Sequence, residues 1–530
     1  MHRHTTMQST LEQSQARVSD KLVSLLLPVA ALLAQTFASG RLAVTPAVWL
    51  APLLLLVLLD RLPNWRGLAL IYGALFVAFL LQWDGYIPAP RPIYIAVAVG
   101  YALVSTLPYA AHLLSIWMRG RTDGLTVLAF PAALVVVEWL TRLFSPYGSW
   151  GAVGYALPRS EALLQLGSLF GLAAAAGAVG GAAAIGAWVV RGGLSANRNR
   201  RMLGALAAVA LLAWSWGAWR ARTFLSLQPS VAVSTVFVPI SDKSIIFGEV
   251  DWAGQVGKPM TTADQVFLDL YLLNKTVPVP LERDVHAWFV GKQDALLAAS
   301  EREAVLGSKL IVWSEGNGVA LFDQEAAFIA RGQALAKSRG VVLVMTLNTK
   351  RVGETLSQNK ALIIDADGEI RTSFAKAKPV PGAENSVAGT GIVAVVSTAI
   401  GRIAGVICFD ADHPELIRQA ATGGADLLVV PAYDWPDIDP YHAEMTAWRA
   451  SELGLPIVRS ASSGQSAVFD AKGRLVASSD AFGAAGPAMR ARVPIGRLPT
   501  LYARFGDLGT GMPAILLLAA TVMRRRTRKA

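Results

Sequence analysis

The sequence predicts a chain in two parts. One is a multi-span α-helical membrane domain of about eight transmembrane helices; the other is an extramembrane α/β domain of layered sheets, inserted before the last span. Three observations predict this. Of the 530 residues, 53% are hydrophobic, and the mean hydropathy of +0.44 is too high for a soluble globular protein. The apolar residues are bunched in long runs up to about residue 222 and once more near the C-terminus, with ordinary charge density between. Basic residues flank those runs, which is a topology signal. The formal charge of +11 therefore carries no case for a nucleic-acid partner.

In order, residues 1–21 form a polar N-terminal tail and 22–222 a domain of seven spans, near 22–38, 42–59, 67–82, 93–117, 125–143, 162–190 and 203–221. The extramembrane domain occupies 223–507, an eighth span 508–523, and a basic tail 524–530. The first run has no clear small-x-small cleavage site and more spans come after it, so it reads as an uncleaved anchor. With residue 1 inside, the short segments on that side hold Arg3, Arg17, Lys21, Arg61, Arg66, Arg119, Arg121, Arg191, Arg198, Arg200 and Arg201, joined by Arg524, Arg525, Arg526, Arg528 and Lys529. The opposite short loops offer Arg41, Arg91, Arg142 and Arg159. That imbalance puts both termini in the cytoplasm and residues 222–505 outside, which requires an even number of spans.

Within the spans, Glu138 is costly unless paired, and Arg142 one turn later is the expected partner. The loop Phe144-Ser-Pro-Tyr-Gly-Ser-Trp150 is rich in turn residues and aromatics and lies on the side of the extramembrane domain. Gly177, Gly180, Gly181 and Gly186 allow close helix packing. Trp49, Trp65, Trp83, Trp117, Trp214, Trp216 and Trp219 fall near span ends, as interfacial belts do.

From Val231 the pattern alternates strands and helices, which implies an α/β fold. Strands are expected at 231–240, 309–313, 340–347, 393–396, 402–407, 426–430, 457–460 and 467–470, with a hairpin of 359–365 and 370–374 around Asp367-Gly368. Helices are expected at 263–273, 286–304, 322–338, 414–422 and 441–453.

The only cysteine, Cys408, excludes any intramolecular disulfide. Alone it reads as a small core residue. It falls, however, where the apolar run 402–407 stops, before a helix opening at His413-Pro414-Glu415 whose N-terminus would favour a thiolate. Glu315 and Lys376 (or Lys378) also stand just after strands. A buried carboxylate can accept the thiol proton, and an ammonium can stabilise both thiolate and oxyanion, so the three together suit covalent acyl chemistry. Competing patterns are weaker. The six histidines show no metal-ligand spacing, Ser466 lacks the glycine frame of a hydrolase elbow, and Gly389-Thr-Gly391-Ile-Val-Ala394 matches a dinucleotide fingerprint only nominally. No metal and no diffusible cofactor are implied.

These residues resemble the apolipoprotein N-acyltransferase family, in which a nitrilase-superfamily domain sits between the seventh and eighth spans. Leu310-Ile-Val-Trp-Ser-Glu315 is similar to the segment ending Trp-Pro-Glu, and Cys408-Phe409-Asp410 to Cys-Tyr-Glu. Lys376 with Pro381 and Glu384 matches the Lys…Pro-Phe-Gly-Glu run, which selects Lys376 over Lys378. Residues 425–431, 449–452, 458–460 and 500–507 agree with later family blocks. The departures are Ser314 for proline, shifted residues in 381–384, Phe409-Asp410 for Tyr-Glu, and Ala432-Tyr-Asp-Trp-Pro436 for Thr-Asn-Asp-x-Trp-Phe.

The resemblance implies an extramembrane nitrilase-like αββα sandwich in the periplasm of a bacterial cell, on a multi-pass monomer of the inner membrane. It implies catalytic Glu315, Lys376 and Cys408, supporting Glu384, Phe409 and Asp410, and a substrate loop with Trp150, Tyr433 and Trp435. The acyl donor would be a membrane phospholipid and the acceptor a lipoprotein N-terminus. The changed 432–436 loop keeps open a membrane-bound amidase or an acyltransferase with a different acceptor; a catalytically silent homologue is the third reading.

Overall fold

The computed structural model describes residues 25–87, 89–119, 124–157, 160–192, 197–223, 229–238, 279–351, 354, 356–482 and 488–523. The expected tails 1–21 and 524–530 and the helix at 263–273 lie outside them.

The membrane part begins with helices α1 (Leu25–Thr36), α2 (Thr45–Arg61), α3 (Trp65–Gln82), α4 (Arg91–Arg119) and α5 (Gly124–Phe144). It continues through α6 (Glu161–Phe170), α7 (Ala173–Val190) and α8 (Asn197–Arg222). Among the described residues, five helices are long and apolar enough to cross a membrane: α3, α4, α5, α7 and α8. The single span expected at 162–190 is instead α6 and α7, broken at Gly171. Gly171 has φ +63, and a Cβ there would stand 2.3 Å from the Tyr502 ring, so the break needs glycine twice over. Composition hides it, because the apolar run continues from one half into the other. In α7, a Cβ on Gly180 would meet Pro131 Cα at 3.1 Å and one on Gly186 would meet Leu53 at 2.9 Å. Close helix packing is thus what those glycines provide.

The extramembrane part is two sheets between helices. The first has the order β13-β1-β2-β4-β5-β6, with β3 pairing β4. Its strands are β1 (Ser230–Val236), β2 (Leu310–Trp313), β3 (Val319–Leu321), β4 (Val342–Lys350), β5 (Gln358–Ile364), β6 (Ile370–Ala375) and β13 (Ala488–Pro494). The second has the order β12-β11-β10-β9-β8-β7. It comprises β7 (Val395–Thr398), β8 (Gly401–Gly405), β9 (Leu427–Ala432), β10 (Ile457–Ala461), β11 (Gln465–Phe469) and β12 (Leu475–Asp480). The central strands β1, β2 and β4, and likewise β8, β9 and β10, are parallel, and the edges antiparallel. The strands β3, β12 and β13 are additional to those expected, being short or interleaved with polar residues.

Two-residue periodicity builds the layers. Leu310 and Val312 face the second sheet, whereas Ile311 and Trp313 face α9 (Val279–Val305) and α10 (Glu325–Arg339). The second sheet's outer face is covered by α11 (Pro414–Thr422) and α12 (Tyr441–Leu453). This is an αββα sandwich. Two further helices, α13 (Leu501–Phe505) and α14 (Leu508–Val522), return the chain to the membrane part. One hydrophobic core runs unbroken from Val48, Phe79 and Val179 of the membrane helices into the sandwich.

Arg142 is more tightly bound elsewhere than to the expected Glu138. It donates to Asp507 Oδ1 at 3.0 Å, while Glu138 Oε2 is 3.8 Å away. Glu138 Oε1 accepts Val153 N at 2.7 Å. The two side chains thus pin α5 to the loop at Val153 and to the start of α14.

Candidate active site

A short turn separates Cys408 from the helix expected after it. Strand β8 ends at Gly405, Cys408 opens a 3-10 turn over Cys408–Asp412, and α11 begins only at Pro414. Among the described residues Cys408 is the only non-glycine with positive φ, at +49. That conformation costs a residue with a Cβ about 1–2 kcal/mol, so the surroundings must impose it. Asp410 is the visible restraint. Its Oδ2 accepts Ile407 N at 3.1 Å, and its Oδ1 accepts Ala377 N at 3.1 Å and Lys378 N at 2.8 Å. One carboxylate therefore closes the cysteine turn and holds it to the segment carrying Lys376.

Lys376 follows β6, and its own N–H donates to Asn359 O at 2.9 Å. Its ammonium donates to Glu315 Oε1 at 2.7 Å and also to Glu384. Asn359 Nδ2 donates to the same Glu315 oxygen at 2.7 Å. Cys408, Glu315 and Lys376 are all buried, and among the described residues Glu315 Oε2 and Glu384 Oε2 have no hydrogen-bond partner. Burial raises the Cys408 thiol well above its ordinary range; the Glu315 charge adds to this and Lys376 opposes it. Burial works against the Lys376 ammonium, yet Glu315 and Glu384 outweigh it and hold the group charged. Burial pushes Glu384 up to about 7 despite Lys376, and Asp410 up to about 7 despite Lys376 and the amides of Ile407 and Lys378. The arrangement can deprotonate a neutral thiol with a carboxylate while a fixed cation waits for negative charge.

Phe409 is fully buried, edge-on to Trp150 at 5.6 Å. The loop 145–151 is locked to the cysteine turn: Ser149 N and Oγ donate to Asp412 O at 2.9 and 2.8 Å, and Trp150 Nε1 donates to Asp412 Oδ2 at 3.0 Å. Trp150 also lines a cavity of about 180 Å³ inside the membrane part, with Phe79, Tyr101, Glu138 and Arg142 among its other walls. Tyr433 O accepts the Cys408 thiol at 3.4 Å. Trp435, half-buried, packs 6.0 Å from Trp150 and donates through Nε1 to Gly85 O at 2.9 Å.

Sequence reasoning does not single out Asn359, Asp412, Asp434, His442 or Arg459 as site residues. Cys408, Asp434 and His442 offer ligand-type atoms within 4.8 Å of one another. Both His442 ring nitrogens are already taken by carboxylates, at 2.7 Å from Asp434 and 2.8 Å from Asp412, so the trio reads as part of an ion-pair network.

Comparison with known proteins agrees with both halves. The family model for the apolipoprotein N-acyltransferase N-terminal domain matches residues 29–185, and that for carbon-nitrogen hydrolase matches 293–485. The apolipoprotein N-acyltransferase of Rhodopseudomonas palustris is 27% identical over 87% of this chain and 83% of its own. That of Geobacter metallireducens is 25% identical over 94% of each. Among solved structures, a nitrilase-superfamily amidase of Nesterenkonia AN1 aligns with 51% of this chain and 94% of its own, at 19% identity and a TM-score of 0.37. Apolar helices joined to an αββα sandwich define a membrane-embedded protein of the carbon-nitrogen hydrolase class. Within that class, the chain is similar to the apolipoprotein N-acyltransferases, through the model of their N-terminal domain and through relatives along most of its length.

Proposed function

We propose that this protein moves a fatty acyl chain from a membrane phospholipid, through a thioester on Cys408, to the N-terminal amine of a diacylglyceryl-cysteine lipoprotein. Glu315 takes the thiol proton, and the Cys408 sulfur attacks the phospholipid ester carbonyl. Lys376 stabilises the resulting oxyanion. The carbon–oxygen bond breaks, Glu315 returns the proton to the departing alkoxide, and a lysophospholipid leaves. In the second half, the lipoprotein amine attacks the thioester, Glu315 accepts its proton, and the sulfur departs to be reprotonated. Glu384, Phe409 and Asp410 support this centre, and Trp150, Tyr433 and Trp435 border the substrates.

The observation that carries this reading is the buried bond from Lys376 to Glu315, 2.7 Å long, whose two charges act on the Cys408 thiol. The membrane setting agrees, since both substrates are lipids. Eight spans, cytoplasmic termini, a periplasmic catalytic domain in the bacterial inner membrane and a monomeric state complete the proposal.

Membranes incubated with phospholipid labelled in its acyl chain test it. Hydroxylamine-sensitive label on wild type but not on Cys408→Ala, passed on to a lipopeptide amine, is the expected result. Free labelled fatty acid would instead select the amidase-like hydrolase, and no label on the protein would select a silent homologue.

A further inference from the structure

We propose that His442 is a positioning residue: as an imidazolium bonded to two carboxylates at once, it ties Cys408 to the Trp150 loop of the membrane part and sustains the field in which the thiolate forms. This rests on the acyl-transfer reading above for its purpose, though not for its test.

The charge on His442 follows from geometry. Nδ1 lies 2.7 Å from Asp434 Oδ1, and Nε2 lies 2.8 Å from Asp412 Oδ2. A carboxylate only accepts, so each of these bonds calls for a proton on the ring nitrogen that makes it, although Arg459 Nη2, itself a donor 3.0 Å from Nδ1, opposes the proton there. Burial also opposes the imidazolium, but Asp412 and Asp434 outweigh both and lift the group to about 9. The charged or titratable groups facing the ring are Asp412 and Cys408 of the cysteine turn, Asp434 of the loop after β9, and Arg459 of β10.

Each carboxylate leads to a different part of the site. Asp434 is adjacent to Tyr433, whose carbonyl holds the Cys408 thiol, and its Oδ1, which binds the ring, also accepts Arg459 Nη2 at 2.7 Å. Asp412 lies in the cysteine's own turn and accepts the Trp150 indole. The imidazolium thus joins the cavity-lining tryptophan to the peptide that fixes the sulfur. Without it, two buried carboxylates lose a shared cation, the field at the sulfur turns more negative, and the thiolate is harder to form.

Cys408 is the only cysteine, so iodoacetamide alkylation of the purified full-length protein reports on it alone. His442→Gln should slow alkylation about tenfold at pH 7.5, equivalent to one pK unit on the thiol. The gap should close towards pH 10, where the wild-type imidazolium has itself lost its charge. Trp150→Phe keeps an aromatic ring but removes the donor to Asp412, and should slow alkylation less, with the same sign. An equal rate in His442→Gln overturns the proposal. So does a gap that stays constant with pH, which is the mark of packing damage, or a wild-type rate in Trp150→Phe. Alkylation needs neither phospholipid nor lipoprotein. A pH-dependent gap without hydroxylamine-sensitive label would therefore sink the acyl-transfer reading and leave the role of His442 standing.

Discussion

Replacing Asp410 by asparagine tests whether one carboxylate assembles the site. The substitution is nearly isosteric. The side-chain oxygen can keep Ala377 N and Lys378 N, leaving the new amide NH2 facing Ile407 N, where two donors meet. A buried donor without an acceptor costs roughly 1–3 kcal/mol. The strain at Cys408, of about 1–2 kcal/mol, gives the turn a reason to relax once that restraint weakens. If the loss is felt in full at the acylation transition state, acyl-enzyme formation slows roughly 5- to 150-fold. The assay is the initial rate of hydroxylamine-sensitive labelling at saturating phospholipid, with thermal unfolding measured alongside. Asp410→Glu, which keeps the carboxylate on a longer arm, is expected to retain more activity than Asp410→Asn. Wild-type labelling and unchanged unfolding in Asp410→Asn would refute the reasoning.

Glu315→Gln removes the proposed base while leaving Lys376 its bond to Glu384, so labelling should fall by about 10²-fold or more with little change in phospholipid KM; a rate within a few-fold of wild type would move the base elsewhere. Gly148→Ala puts a Cβ 2.5 Å from Asp412 O at a φ of +56 and should destabilise the protein by about 1–3 kcal/mol while detaching the 145–151 loop, read as a lower Tm and slower labelling. Stability should also depend on pH through His442. Its folded pKa of about 9 exceeds the ordinary 6.5, so its contribution is fully present below 6.5 and is lost as pH rises through 9; the difference corresponds to about 3 kcal/mol. Denaturant unfolding of wild type and His442→Gln should therefore converge between those values, and parallel curves would exclude the linkage.

Both layers of the fold are legible in the sequence because each writes its own period. Runs of membrane length announce the helices, and short β-branched runs the central strands. The break at Gly171 is not legible, since apolarity does not distinguish one long helix from two, and the cause, the Tyr502 ring, lies far away in sequence. Strands β12 and β13 escape for the opposite reason: they are half-exposed edges whose polar residues resemble loop. At the site, strand ends locate Glu315, Lys376 and Cys408 individually. The helix expected after the cysteine does open at Pro414, but the turn from Cys408 to Asp412 that stands between them is not legible, having no apolar signature. The Asp412, Asp434, His442 and Arg459 network is invisible as a unit, its members coming from four separate elements. Only the fold brings them within hydrogen-bond reach.

The unbroken core between membrane helices and sandwich has a mechanical consequence. A catalytic head welded to its anchor in this way cannot rock on a tether to fetch its reactants. Encounter is left to lateral diffusion in two dimensions, so turnover should respond to how fluid and how crowded the surrounding lipid is.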